Sequence, residues 1–191
     1  MSLITPYLYL GDINDAENLN FLASKKVSLI VNTAKEIPNF YPKNFKYLNL
    51  HLKDVPRQDI IDALQISSEE ILKNMKNGKV VFVHCAAGVS RSSSVVIYTL
   101  MRLHKWDYEK SFKYVKSMRD IINPNPGFVE QLIMMGNGLN DSIKSADKIE
   151  SFVNYEEENS ELPEDSNDVI NPKESSLHNR SHKSTYARIF A

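Results

Sequence analysis

Four apolar residues in a row, Val80-Val81-Phe82-Val83, run directly into His84-Cys85-Ala86-Ala87-Gly88-Val89-Ser90-Arg91-Ser92. A continuous β-branched and aromatic run of this kind reads as a strand buried on both faces of a sheet. The apolar segment over residues 92–104 then predicts a helix, so strand and helix are joined by one tight loop holding a single glycine. A strand covered on both sides and followed at once by a helix constrains the chain to an α/β fold around one central sheet.

The rest of the first 140 residues agrees with that fold. Residues 7–10 and 27–31 are short and apolar, 45–50 alternate as a strand does, and 79–83 form the strongest strand segment. Residues 15–25 space Ala16, Leu19, Leu22 and Ala23 at helical intervals, and 59–77 carry Ile60, Ala63, Leu64, Ser67, Ile71, Leu72 and Met75 largely on one face. Asp59 looks like the N-cap of that second helix, and Gly78 follows where helices often stop. Asp107 is placed to cap a helix over 108–119, with Phe112, Val115 and Met118 as its inner stripe. Asn123-Pro124-Asn125-Pro126-Gly127 is a rigid turn, and 128–139 reads as the last helix. The expectation is one α/β domain over residues 1–140, with a central mixed, mostly parallel sheet flanked by helices.

From about residue 141 the character changes. Residues 156–168 hold seven acidic side chains and no basic one, and 171–191 are rich in Ser, Asn and His. Neither stretch offers enough periodic apolar surface to offset the entropy of ordering, so 141–191 reads as a polar, mostly disordered tail. Charge divides along the same line. Residues 1–140 carry 17 Lys+Arg against 13 Asp+Glu, and 141–191 carry 6 against 11, which sums to a net charge of -1. That balance argues against a general nucleic-acid binder. The single cysteine leaves no intramolecular disulfide and no multi-cysteine metal site, and it favours a reducing compartment, the cytoplasm or the nucleus. The opening residues lack a basic stretch ahead of a long apolar one, so neither a signal peptide nor a membrane span is expected.

The loop after the buried strand carries the chemistry. A short loop that wraps between a strand end and a helix start aims successive backbone N–H groups inward, and the helix N-terminus adds positive potential. The result is an anion-binding nest over Ala86, Ala87, Gly88, Val89 and Ser90, to which Arg91 adds a planar fork matched to two phosphate oxygens. The same field favours the thiolate form of a cysteine held there. Cys85 is then a nucleophile at the floor of a phosphate cradle, able to form a cysteinyl-phosphate that water cleaves.

His84-Cys85-x-x-Gly88-x-Ser90-Arg91-Ser92 resembles the phosphate-binding loop of the protein tyrosine phosphatase superfamily, and Ala86, Ala87 and Ser92 make it look like the dual-specificity branch, in its small atypical form. The likeness extends over roughly residues 3–140. Leu8-Tyr9-Leu10-Gly11 and Val31-Asn32 resemble that family's opening, and Arg119, Pro124-Asn125 and Gly127-Phe128 its closing helical region. The resemblance implies a tyrosine-phosphatase-like fold, no cofactor, no metal, and phosphoproteins as substrates.

It also implies roles. A carboxylic acid must supply the leaving group with a proton, and the family places it about thirty residues before the cysteine. Asp54 stands there, after the strand over 45–50, with Asp59 as its rival. By resemblance Ser92 hydrogen-bonds the Cys85 sulfur and eases its departure, while His84 and Asn125 support the loop. Inositide-directed relatives carry lysines within the loop, where this chain has Ala86, Ala87 and Val89. RNA-directed relatives dispense with the acid. Inactive binding relatives lose the cysteine or the arginine. Cys85, Arg91, Asp54 and the uncharged loop therefore point to a protein-directed phosphatase, and the short domain, without the recognition segment that deepens the pocket of larger tyrosine-specific relatives, implies hydrolysis of phosphotyrosine and of phosphoserine or phosphothreonine.

Overall fold

Val80–His84 forms the middle strand of a five-stranded sheet in a computed structural model that describes residues 1–138. The expected tail over 141–191 lies outside the described residues, as does the last residue of the helix expected over 128–139. The strands are β1 (Ser2–Thr5), β2 (Leu8–Gly11), β3 (Val27–Ala34), β4 (Lys46–Leu52) and β5 (Val80–His84), in the order β1-β2-β5-β3-β4. Pairs β2·β5, β5·β3 and β3·β4 are parallel, and β1 alone runs antiparallel against β2. The sheet is mixed and mostly parallel, as expected. β1 is the strand that sequence reasoning passes over.

Burial on both faces explains the apolar run. Val81, Phe82 and Val83 are fully buried. Val81 and Val83 face the larger core with α3 (Ile61–Lys76), α4 (Arg91–His104), α5 (Tyr108–Met118) and α6 (126–138), represented there by Ile71, Leu100, Val115 and Phe128. Phe82 faces the smaller core with Ala16 and Leu22, from α1 (Ile13–Glu17) and α2 (Leu19–Ser24). Helix α4 is buried from Arg91 to Met101, as a helix sandwiched between the sheet and its neighbours must be.

Three local expectations are corrected. The helix over 15–25 is two short helices, because the Asn18 side chain accepts from the Phe21 N–H at 3.0 Å and starts a new helix there. Asp59 sits one residue ahead of the N-cap position, which is Ile60. Its Oδ1 still accepts from the Ile61 N–H at 2.9 Å. Met118 is 44% exposed and does not belong to the inner stripe of α5, which ends on Val115.

Candidate active site

Parallel strands deliver their C-terminal ends to one edge of a sheet, and the loops there make the natural binding crevice. Just past these ends come Asp12 after β2, Glu36 after β3, Asp54 after β4 and Cys85 after β5. Asp12, Glu36 and Asp54 each touch the loop from Cys85 to Arg91 or the arginine that braces it.

That loop is tied down from outside by its carbonyl groups. The Ala86 carbonyl accepts from the Ile13 N–H at 3.1 Å, and the Val89 carbonyl from the Asn123 N–H at 2.9 Å. Arg119 donates from Nε to the Gly88 carbonyl at 3.0 Å and from Nη2 to the Ala87 carbonyl at 3.3 Å. Asp12 Oδ2 lies 3.4 Å from the same Nη2, so it orients the arginine in turn. In a planar trans peptide the N–H points opposite to the carbonyl. Four outward carbonyls therefore turn the N–H groups of Ala87, Gly88, Val89 and Ser90 inward. The Gly88 N–H meets the Cys85 sulfur at 3.2 Å. Gly88 has φ +66°, and a Cβ on it would stand 2.6 Å from both Arg119 Nη2 and the Gly11 carbonyl oxygen, so the turn requires glycine.

Cys85 is buried, with Ser92 Oγ 3.2 Å from its sulfur. Helix α4 begins at Arg91 without a side-chain cap on its first turn, which leaves those N–H groups for a ligand. Arg91 is buried in an unequal way. Its Nη1 donates to Glu36 Oε1 at 2.6 Å and Oε2 at 2.8 Å, and to the Leu52 carbonyl at 3.3 Å. Among the described residues its buried Nε has no hydrogen-bond partner, which is costly unless something fills the cradle. Burial pushes the Glu36 carboxyl up, but the Arg91 hydrogen bond, a backbone hydrogen bond and the Arg91 charge together hold it below the usual carboxylate range.

Asp54 reaches the loop from β4. Its Oδ1 accepts from Ser90 Oγ and from Asn125 Nδ2, each at 2.7 Å, while Oδ2 lies 3.7 Å from Arg91 Nε. The Asn125 N–H donates to Ser90 Oγ at 3.0 Å, which closes a three-residue ring. The Asp54 loop is also docked on α6. Gln131 donates to the Gln58 carbonyl at 2.9 Å and accepts from the Ile60 N–H at 2.8 Å. The Asp59 carboxylate accepts from the Ile61 N–H at its own helix start, and among the described residues this rival carboxylate takes no part in the cradle.

His84 stacks on Phe82 with ring centroids 5.4 Å apart and is buried. Burial drives its imidazole down to about 4, against the opposing pull of the Cys85 backbone and the Asp12 and Asp15 carboxylates. The ring is neutral at pH 7 and brings no charge to the sulfur. Positive potential there comes from Arg91 and the inward N–H groups. The structure thus brings together Cys85, Arg91, Ser92, Asp54, Asn125, His84 and the loop from Ala86 to Ser90. Sequence reasoning missed Glu36, Asp12 and Gln131. Position just past a parallel strand would have flagged the first two.

Residues 8–138 match the family model described as dual specificity phosphatase, catalytic domain. The protein phosphatase Slingshot homolog of Xenopus laevis is 41% identical over 131 residues, 69% of this chain and 19% of that protein. Protein phosphatase Slingshot of Drosophila melanogaster is 34% identical over 147 residues, 77% of this chain and 14% of that protein. The chain thus spans about a fifth or less of the length of these curated relatives. Among solved structures, human DUSP28 aligns with a TM-score of 0.71 and 29% identity, covering 74% of this chain and 99% of that one. The human tyrosine phosphatase-like serine/threonine/tyrosine-interacting protein aligns with a TM-score of 0.65 and 34% identity, covering 69% of this chain and 92% of that one.

Proposed function

The chain belongs to the dual-specificity phosphatase catalytic-domain family, and from that premise we propose that it hydrolyses phosphotyrosine and phosphoserine or phosphothreonine in proteins through a cysteinyl-phosphate. One observation carries the reading. A buried thiol accepts from the Gly88 N–H and lies against the Ser92 hydroxyl, each at 3.2 Å, beside an arginine whose buried Nε makes no hydrogen bond among the described residues and has Asp54 Oδ2 at 3.7 Å. An incoming phosphoryl group satisfies that orphan donor along with the inward N–H groups.

In the first step the Cys85 thiolate attacks phosphorus in line, and the bond to the leaving oxygen breaks. Asp54 gives that oxygen its proton. Two donors occupy Oδ1, so Oδ2 is the oxygen left to carry the proton. Negative charge on the transferring group meets the loop N–H groups and Arg91, fixed in place before reaction. In the second step water attacks phosphorus and gives a proton to the Asp54 carboxylate as the sulfur–phosphorus bond breaks. The Ser92 hydroxyl donates to the departing sulfur, and inorganic phosphate leaves.

The experiment is phosphate release from phosphotyrosine and phosphoserine peptides by the purified chain and by Cys85→Ser. Turnover of both peptides that disappears in the variant supports the reading. A folded wild-type protein that releases phosphate from neither contradicts it.

A further inference from the structure

Strand β4 holds one residue more than its partner. Asn32 pairs with Asn49 and Ala34 with Leu52, so two steps along β3 are matched by three along β4. The surplus falls at His51, whose φ of +52° lies in the left-handed region that side chains enter at a cost. Its side chain is exposed, with no hydrogen bond, ion pair or ring contact to any described residue. Strain of this kind persists only where the surroundings demand that backbone course, and bulges beside active sites re-aim the side chains next to them.

The residues just past His51 enter the site. Leu52 is buried, and its carbonyl accepts both from the Lys35 N–H at 3.1 Å and from Arg91 Nη1 at 3.3 Å. Two residues later Asp54 meets Ser90 and Asn125. Side chains alternate along a strand, so a β4 without the surplus residue would shift Leu52 and Asp54 one place and turn both to the opposite side.

We infer that the bulge at His51 aims Asp54 at the phosphate loop, and that His51 is a positioning residue acting through its left-handed backbone rather than its imidazole. The inference rests on the reading of Asp54 as the acid. Residue type at position 51 then matters through tolerance of positive φ. Gly and Asn fit, Ala fits less well, and a β-branched side chain resists.

The test compares His51→Gly, His51→Asn, His51→Ala, His51→Val and Asp54→Ala on the full chain. Each is assayed on a phosphoserine peptide and on an aryl phosphate with an activated leaving group, with thermal unfolding measured in parallel. His51→Val should lose roughly tenfold or more in kcat on the peptide, with little change on the aryl phosphate, and should lose the basic limb of the pH–rate profile as Asp54→Ala does. His51→Gly and His51→Asn should restore the wild-type ratio between the two substrates. If His51→Val does not fold, His51→Ala carries the comparison with a smaller loss in the same direction. Equal losses on both substrates would reduce the bulge to a structural role and overturn the inference. So would a wild-type ratio in His51→Val, or a loss in His51→Gly that matches His51→Val. If Asp54→Ala itself keeps wild-type turnover of the peptide, the acid assignment has failed and the inference falls with it. If Asp54→Ala is slow while His51→Val is not, the inference alone falls.

Discussion

Glu36 grips the Arg91 guanidinium by one nitrogen, Nη1, through both carboxylate oxygens at 2.6 and 2.8 Å, and leaves Nε without a hydrogen bond among the described residues, 3.7 Å from Asp54 Oδ2. A guanidinium held on one side presents its other edge in a fixed plane, which is what bidentate binding of phosphate needs.

Glu36→Gln should keep the fold but loosen that plane. The Glu36 side chain is half exposed, so the loss is discounted to about 1–2 kcal/mol, or roughly five- to thirtyfold weaker competitive inhibition by inorganic phosphate. Titration of the initial rate with phosphate reads it. An unchanged inhibition constant would show that Arg91 keeps its orientation without the carboxylate.

Asp54→Ala should separate substrates by leaving group. Loss of a positioned acid costs about a hundredfold or more where the leaving oxygen needs a proton, and little where it does not. Turnover of a phosphoserine peptide should therefore collapse while that of an activated aryl phosphate is largely kept. Equal slowing on both would assign Asp54 a structural task.

The Asp54 loop depends on a residue far along the chain. At Gly127 a Cβ would overlap the Pro56 carbonyl, a backbone group that cannot swing aside. Gly127→Ala should push the loop off α6, lowering thermal stability and selectively slowing the poor leaving group. Steady-state rates on both substrates, with unfolding temperature, check this. Wild-type values throughout would mean that the two segments separate without consequence.

His84 predicts a pH dependence of stability. Its folded value of about 4 lies below the ordinary 6.5, so the unfolded chain binds a proton that the folded one refuses. The associated stability is fully present above pH 6.5 and is lost as pH falls toward 4, by about 3 kcal/mol. Urea unfolding across that window should show the decline, and His84→Asn should flatten this component. A decline of the same size in the variant would assign it to the carboxylates.

The parts of this site that are contiguous in the chain could be read from the sequence. Cys85, the inward loop, Arg91 and Ser92 follow one another between a buried strand and a helix, so local geometry fixes their relation. Asp54 and Asn125 needed resemblance, because the 2.7 Å contact between them spans 71 residues. Glu36 on Arg91 and Gln131 on the Asp54 loop are also long-range contacts, and a Glu or Gln in those positions otherwise looks like an ordinary surface residue. The bulge at His51 could not be read at all, since nothing in Leu-Asn-Leu-His-Leu breaks the alternation of a regular strand. Strand β1 is short and relies on pairing with β2, which composition does not encode.

The most direct measurement is acid quench of the Ser92→Ala variant during turnover of a phosphopeptide radiolabelled in its phosphoryl group. Without the Ser92 hydroxyl to stabilise the departing sulfur, which lies 3.2 Å away, breakdown should slow more than formation. Label should therefore accumulate on Cys85, and be absent when Cys85→Ser is added. Turnover that survives in Cys85→Ser, or label found on another residue, would contradict a cysteinyl-phosphate at Cys85.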